Sequence, residues 1–232
     1  MTEAVEYLNR HTFTVLYSGG KDSTATLLWV LDNVMHDRWN ILYVEVTGNT
    51  ARECTEYVKY ISKILGVEDK LIIAKREVDF FDYLKRCGSP LLSKYRWCYW
   101  QFKWRLFKRY ALPINVTGMK KRDSWRRRKV KEIDTLYMDG VTAVNPIVAW
   151  SNNKVLEYIR DHGIPLNPCY EKYGHSGNCM FCPNHSKHQI ILTMQDPYWR
   201  RKILNALKYG RGYISRRVYN KWMEYSRIKT LL

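Results

Sequence analysis

The chain has 232 residues, 46% of them hydrophobic, and a formal net charge of +17 from 39 Lys and Arg against 22 Asp and Glu. That length and apolar content suit one large α/β domain with a full core, and the excess of cations points to polyanionic partners. No apolar run approaches the ~20 residues of a membrane span, and the opening Met1–Glu6 has no basic stretch leading into an apolar one. The expectation is therefore a cytoplasmic protein with no secretory signal and no membrane partner.

Thr12–Tyr17 is apolar and β-branched and reads as a short buried strand. From Asp22 to about Met35, the residues Ala25, Leu27, Leu28, Leu31 and Val34 recur at helical spacing. Trp39–Val46 is a second strand, Ala51–Leu65 a helix, Lys70–Ala74 a third strand, Asp79–Lys85 the opening of a helix and Leu112–Thr117 a further strand. Such alternation specifies a parallel sheet with helices on both faces. Ligands of these sheets lie beyond the carboxyl ends of the strands, so Ser18–Ser23, Thr47–Asn49 and Gly118–Lys120 are expected on one rim. After Pro146, Ser151–His162 reads as a capped helix stopped by Gly163. Pro165–Pro183 is turn-rich and holds Cys169, Cys179 and Cys182, three of the six cysteines. From Asp196 the chain is helical, basic and dotted with aromatics. The expected organisation is a nucleotide-binding domain over 1–183 and a basic helical tail over 184–232 packed on it.

Tyr17-Ser-Gly-Gly-Lys-Asp-Ser23 falls between the first strand and the first long helix. Two glycines there let bare backbone N–H groups curl around an anion, and the positive end of the helix adds to the same point. Lys21 supplies a mobile charge and Ser18 and Ser23 supply hydroxyls. The Walker pattern needs four residues between its glycine and its Gly-Lys pair, and this chain does not have them.

Cys179-Met-Phe-Cys182-Pro is a CxxC on a turn, with Cys169 ten residues upstream and Cys98 far away in Arg96-Trp-Cys98. Four thiolates from two segments suit either a cubane iron–sulfur cluster or structural zinc. Cys54 and Cys87 sit on expected helices among apolar neighbours and read as small buried hydrophobes. His175, His185 and His188 flank the cluster and offer a substitute ligand. Trp97, Trp100, Trp104 and Phe107 recur every three or four residues. They read as one buried helix face, with base stacking as the alternative.

Ser-Gly-Gly-Lys-Asp-Ser resembles the pyrophosphate loop (PP-loop) of the adenine-nucleotide α-hydrolase superfamily. Three further stretches are similar to the phosphoadenylylsulfate reductase family within it. They are Gly88-Ser-Pro90 with Arg96-Trp-Cys-Tyr-Trp-Gln-Phe-Lys103, then Val116–Ser124 followed by Arg126–Arg128, and then Asn145–Trp150 with Ile164–Tyr170 and the closing Cys-Met-Phe-Cys-Pro. The resemblance runs from about Thr12 to Pro183. It implies a Rossmann-like α/β fold with a cysteine-rich segment and a basic helical C-terminal tail. Ser18, Gly19, Gly20, Lys21, Asp22, Ser23, Thr47, Gly48, Gly118 and Lys120 would hold ATP or an adenylyl sulfate, with Mg2+ beside the phosphates. Lys21, Asp22, Lys103 and Arg126 would be catalytic. Cys98, Cys169, Cys179 and Cys182 would hold a [4Fe–4S] cluster, or zinc in its place.

Two departures shape the functional expectation. No cysteine follows Cys182, and Cys98 has Trp97 and Tyr99 beside it rather than a second cysteine. In cysteine pattern the chain resembles the iron–sulfur DNA-phosphorothioation subunit. That implies α-phosphate activation coupled to sulfur transfer onto nucleic acid, with a sulfur- or electron-donor protein as partner. The alternatives are a phosphoadenylylsulfate or adenylylsulfate reductase releasing sulfite, and a non-catalytic protein that binds nucleotide and nucleic acid. Charge placement bears on the partner. Lys120–Lys131 holds eight cations and one acid, and 183–232 holds eleven cations and two acids. A phosphate backbone of DNA or RNA along 120–131 and 200–217 is the partner such runs fit.

Overall fold

The computed structural model describes residues 2–90, 96–138 and 140–228. The chain divides into two compact units that interleave in sequence. The first comprises Met1–Val44, Glu56–Ala74 and Leu106–Asn167, and the second Glu45–Thr55, Lys75–Arg105 and Pro168–Leu232. The segment 184–232 lies within the second unit.

In chain order the elements are α1 (Glu3–Arg10), β1 (Phe13–Tyr17), α2 (Lys21–Asn33), β2 (Trp39–Glu45), α3 (Arg52–Ile64), β3 (Leu71–Lys75) and α4 (Phe80–Cys87). Next come α5 (Trp97–Tyr99), a π-helical turn (Trp100–Trp104), α6 (Arg105–Tyr110) and β4 (Ile114–Val116). Two 3-10 turns follow at Lys121–Asp123 and Trp125–Lys129, then β5 (Ile133–Met138), β6 (Val141–Val144) and α7 (Asn152–Asp161). The chain continues through α8 (Cys169–Tyr173), α9 (Lys187–Gln195), α10 (Pro197–Tyr209) and α11 (Gly212–Ser226).

The sheet is six-stranded, in the order β3-β2-β1-β4-β6-β5. Strand β1 pairs in parallel with β2 (Val15 opposite Ile41) and with β4 (Val15 opposite Val116), and β4 pairs in parallel with β6. Strand β5 is antiparallel to β6, so the sheet is mixed and mostly parallel in a Rossmann-like architecture. Phe13, Val15 and Tyr17 are buried on one face of β1 and Thr14 on the other, so both faces of the strand are covered. The order reverses at β1, whose neighbours are β2 on one side and β4 on the other. In open α/β sheets that reversal leaves a crevice beyond the strand ends. The turns leaving β1 and β4, residues 18–20 and 117–120, flank it.

Four features depart from the expectations above. Helix α1 was not anticipated, because its apolar side consists only of Ala4, Val5 and Leu8. The β5–β6 hairpin was not anticipated either, since β6 is four residues long and β5 begins with a polar alternation. The Trp97–Phe107 stretch is not one regular helix. Trp97, Phe102 and Trp104 are buried, while Trp100 is 46% exposed, since the π turn inserts an extra residue and shifts the face. Finally, Cys87 is exposed at the end of α4, whereas Cys54 is buried as expected. Among the described residues no helix is long and apolar enough to cross a membrane.

Candidate active site

In the first unit, the 18–23 turn is fixed by its own hydroxyls. The Ser18 N–H donates to Ser23 Oγ at 3.1 Å, and the Ser23 hydroxyl donates to the Gly20 carbonyl at 2.9 Å. Asn167, itself buried, donates from Nδ2 to the Gly19 carbonyl at 2.9 Å. Gly19 takes φ +70°, a left-handed conformation that a β-carbon disfavours. Gly20 is the N-cap of α2 and offers no side chain to its first-turn N–H groups. Those donors therefore point outward at the helix's positive end, the arrangement that receives phosphate.

The turn after β4 closes on the same point. A β-carbon on Gly118 would sit 2.8 Å from the carbonyl carbon and oxygen of Asp22, so only glycine lets the two backbones approach this closely. Lys120 then turns inward and is 1% exposed. Its ammonium pairs with Asp22 Oδ1 and, at 3.0 Å, with Asp123 Oδ1. Lys21 Nζ meets the other Asp22 oxygen at 2.7 Å and reaches Asn152 Oδ1 at 3.2 Å. Burial alone would raise the Asp123 carboxyl. The Lys120 ammonium, and then Arg127 at 2.6 Å, more than offset that and hold it below the usual carboxylate range. The turn thus carries two cations, Lys21 and Lys120, joined through one carboxylate. The side chain of Arg126 lies outside the described residues.

The cysteine-rich segment belongs to the second unit. Asn49, fully buried, clamps it: Phe181 N–H donates to Asn49 Oδ1 at 2.8 Å, and Asn49 Nδ2 donates to the Phe181 carbonyl at 3.0 Å. Met180 N–H donates to the Asn49 carbonyl, and Thr50 Oγ1 donates to the Asn178 carbonyl. Sequence reading placed Asn49 on the ligand rim and missed this clamp, since nothing local links it to a partner 132 residues away. Thr47 donates its hydroxyl to the Arg76 carbonyl, and Gly48 lies against the Asp79 carboxylate.

Lys103 projects from the π turn and is half-buried, with Nζ donating to Asn178 Oδ1 at 3.0 Å. Burial pulls its pKa down, but the Cys179, Cys182 and Cys98 sulfurs together push it above the ordinary lysine value. In turn, burial and then Cys179 raise the Cys98 thiol, and the same two influences push Cys182 up to about 11. Three of the four expected ligand cysteines are therefore grouped around one lysine. Cys169 is placed differently: it is buried, lies against Gly177 and is pushed up to about 12 by burial and then by Cys54. Among the described residues, no group of three or more His, Cys, Asp or Glu is arranged to hold a metal ion.

Of the flanking histidines, His175 and His185 have ring centroids 4.1 Å apart, tilted by 31°. The Gly177 N–H donates to His175 Nδ1, so the proton is on Nε2, which faces Thr193 Oγ1 at 3.1 Å. His188 is exposed.

No curated protein matches the chain. Among solved structures, a phosphoadenylyl-sulfate reductase from Candida auris, in a phosphate complex, superposes with a TM-score of 0.51 at 17% identity, over 73% of this chain and 82% of that one. A Candida glabrata FMN adenylyltransferase with FAD and inorganic pyrophosphate gives 0.46 at 16% identity, over 69% of this chain and 52% of that one. The U34-tRNA thiolase NcsA from Methanococcus maripaludis, with its [4Fe-4S] cluster, gives 0.45 at 14% identity, over 94% and 72%. The first of these likenesses supports the fold. The phosphoadenosine phosphosulfate reductase domain model matches residues 12–185, from β1 through the CxxC turn. On that match the chain belongs to the phosphoadenosine phosphosulfate reductase domain family, as a PP-loop nucleotide-binding enzyme.

Proposed function

We propose that this protein reduces an adenylyl sulfate, with or without a 3′-phosphate, and releases sulfite. The observation that carries the reading is the family match over 12–185, because one continuous match takes in both the phosphate turn and the thiol group around Lys103. In this reading Ser18–Ser23, Gly118 and Lys120 receive the nucleotide phosphates. Asp22 keeps Lys21 and Lys120 in place until phosphate oxygens take over their charges.

The chemistry follows from the thiols. The Lys103 ammonium lies beside the Cys179 sulfur, where it would offset the negative charge of an attacking sulfur, so Cys179 is the nucleophile in this reading. It attacks the sulfuryl sulfur, the bond from that sulfur to the phosphate oxygen breaks, and the adenosine phosphate leaves with the electron pair. Cys179 then carries a thiosulfonate. Cys182, three residues on, attacks the Cys179 sulfur; sulfite departs with the bonding pair and a Cys179–Cys182 disulfide remains. An external dithiol protein reduces that disulfide and restores the enzyme. In sum, sulfonucleotide and dithiol become nucleotide, sulfite and disulfide. Cys179→Ser should abolish sulfite release. Cys182→Ser should stall with a sulfonate adduct of 80 Da, the mass of SO3, on Cys179 that intact-mass spectrometry reads. Sulfite release that survives Cys179→Ser would remove this mechanism.

A second reading, activation of ATP coupled to sulfur transfer onto nucleic acid, is favoured by one observation. Lys121, Arg122, Arg128 and Lys129 are exposed beside the phosphate turn and form no ion pair among the described residues. A sulfur-donor protein and a [4Fe–4S] or zinc site on the cysteines belong to that reading. Four irons and four sulfides per chain after anaerobic purification, lost in Cys169→Ser, would favour it over sulfite release.

A further inference from the structure

Trp125 is 73% exposed, although tryptophan is the side chain with the largest apolar surface to bury. It opens the second 3-10 turn, Trp125–Lys129, and follows the first, Lys121–Asp123. The cations of these turns divide into two sets. Lys120 and Arg127 are drawn onto Asp123, which ties the turns to the phosphate site. Lys121, Arg122, Arg128 and Lys129 stay on the surface with no acid against them among the described residues. An aromatic plane therefore stands in a field of unneutralised positive charge, a few residues from a lysine paired with Asp22 of the 18–23 turn.

We propose that this surface binds a single strand of nucleic acid, with one base stacked on Trp125 and the flanking phosphates on Arg122, Arg128 and Lys129. The proposal rests on the polyanion surface of the second reading above, and it adds a residue, a strandedness and a place. Three arguments select this partner. Cations alone fit any polyanion, but a flat exposed ring among them fits one with free π-faces, and unpaired bases supply these. A duplex keeps its bases stacked and offers the ring only backbone. A lipid surface would need several apolar groups at one level, whereas Val130 and Met119, the nearest apolar residues in sequence, are both partly buried. Because Lys120 is tied to Asp22, a strand on Trp125 would lie beside the phosphate turn.

The test measures binding of labelled oligothymidylate and oligouridylate of about 15 nucleotides, of a duplex of equal length and of phosphatidylserine vesicles. The wild type is compared with Trp125→Ala, Trp125→Phe and Arg128→Glu/Lys129→Glu. The single strands should bind more tightly than the duplex, and either sugar type is compatible with stacking. Trp125→Ala should weaken single-strand affinity at least about fivefold and leave the slope of log affinity against log salt unchanged. Trp125→Phe should recover most of the loss. The double reversal should reduce the slope by about 1 or more, since each single-strand phosphate contact contributes about 0.7. Trp125→Ala affinity within about twofold of wild type, duplex binding as tight as single-strand binding, or vesicle binding without oligonucleotide binding would each overturn the proposal. Calorimetry with adenosine phosphosulfate and ATP on the same proteins keeps the two claims apart. Loss of nucleotide binding in the wild type would count against the phosphate site alone, and the oligonucleotide data would stand or fall separately.

Discussion

Lys120 is an unusual residue in a chain of 39 cations: almost no part of it reaches solvent, and two carboxylates hold it. A buried ammonium is tolerated only when paired, and Asp22 and Asp123 provide the pairing where phosphate is expected to bind. Lys21→Ala should weaken adenine-nucleotide binding by about 2 kcal/mol, the usual worth of a charge-assisted hydrogen bond, as titration calorimetry would read. Gly118→Ala should be worse for its size. Its new methyl meets Asp22 backbone rather than a yielding side chain, so both nucleotide affinity and melting temperature should fall. An unchanged melting temperature would mean that the two turns are not in contact.

The paired rings of His175 and His185 give the second unit an acid-sensitive point. Burial lowers His175 to about 4, and burial and then His175 lower His185 to about 3. The unfolded chain titrates these rings near 6.5. Above that pH both states are neutral and stability is full. As pH falls from about 6.5 toward 4, the unfolded chain takes up protons that the folded chain refuses, and stability is lost. His185 Nδ1 has no hydrogen-bond partner, so His185→Phe removes the titration without removing a bond. The urea midpoint should then decline less steeply with acid than in the wild type. Identical slopes would show that His185 is protonated in the folded state. The 18–23 turn was readable as a strand-to-helix connection because glycines, serines and a lysine stand between β1 and α2. The Lys120–Asp22 pair was not, because its partners are 98 residues apart.

Helix α11 shows what a basic tail does besides carry charge. Trp222 is fully buried and packs at a tilt against Phe181, inside the CxxC turn, with centroids 4.9 Å apart. Phe181 also meets Phe80 of α4, so the turn is gripped from two helices as well as by Asn49. Trp222→Ala should cost about 3–5 kcal/mol, and it should speed alkylation of Cys179 and Cys182 by a thiol reagent. Equal alkylation rates would mean that α11 does not hold the turn. The helical character of the tail was legible from its spacing, and Asp196 with Pro197 forms the expected start of α10. The π turn was not. Aromatics three and four apart fit a regular helix equally well, and only packing of Phe102 and Trp104 distinguishes the two.

Strand–helix alternation was enough to anticipate a mostly parallel α/β sheet, because a parallel sheet requires a crossover between paired strands. It could not give the β5–β6 edge, whose strands are short and weakly patterned. Nor could it give the two interleaved units, since the second is assembled from three separate segments. That assembly brings Cys98 to Cys179 and Cys182 and leaves Cys169 beside Cys54, a division that spacing along the chain does not reveal. It also determines which chemistry the thiols support. An anaerobic single turnover of adenosine phosphosulfate, with and without the 3′-phosphate, therefore bears on everything proposed for them. The account predicts one sulfite and one adenosine phosphate per chain, with a Cys179–Cys182 disulfide in the product protein. Intact sulfonucleotide together with pyrophosphate released from ATP would contradict it.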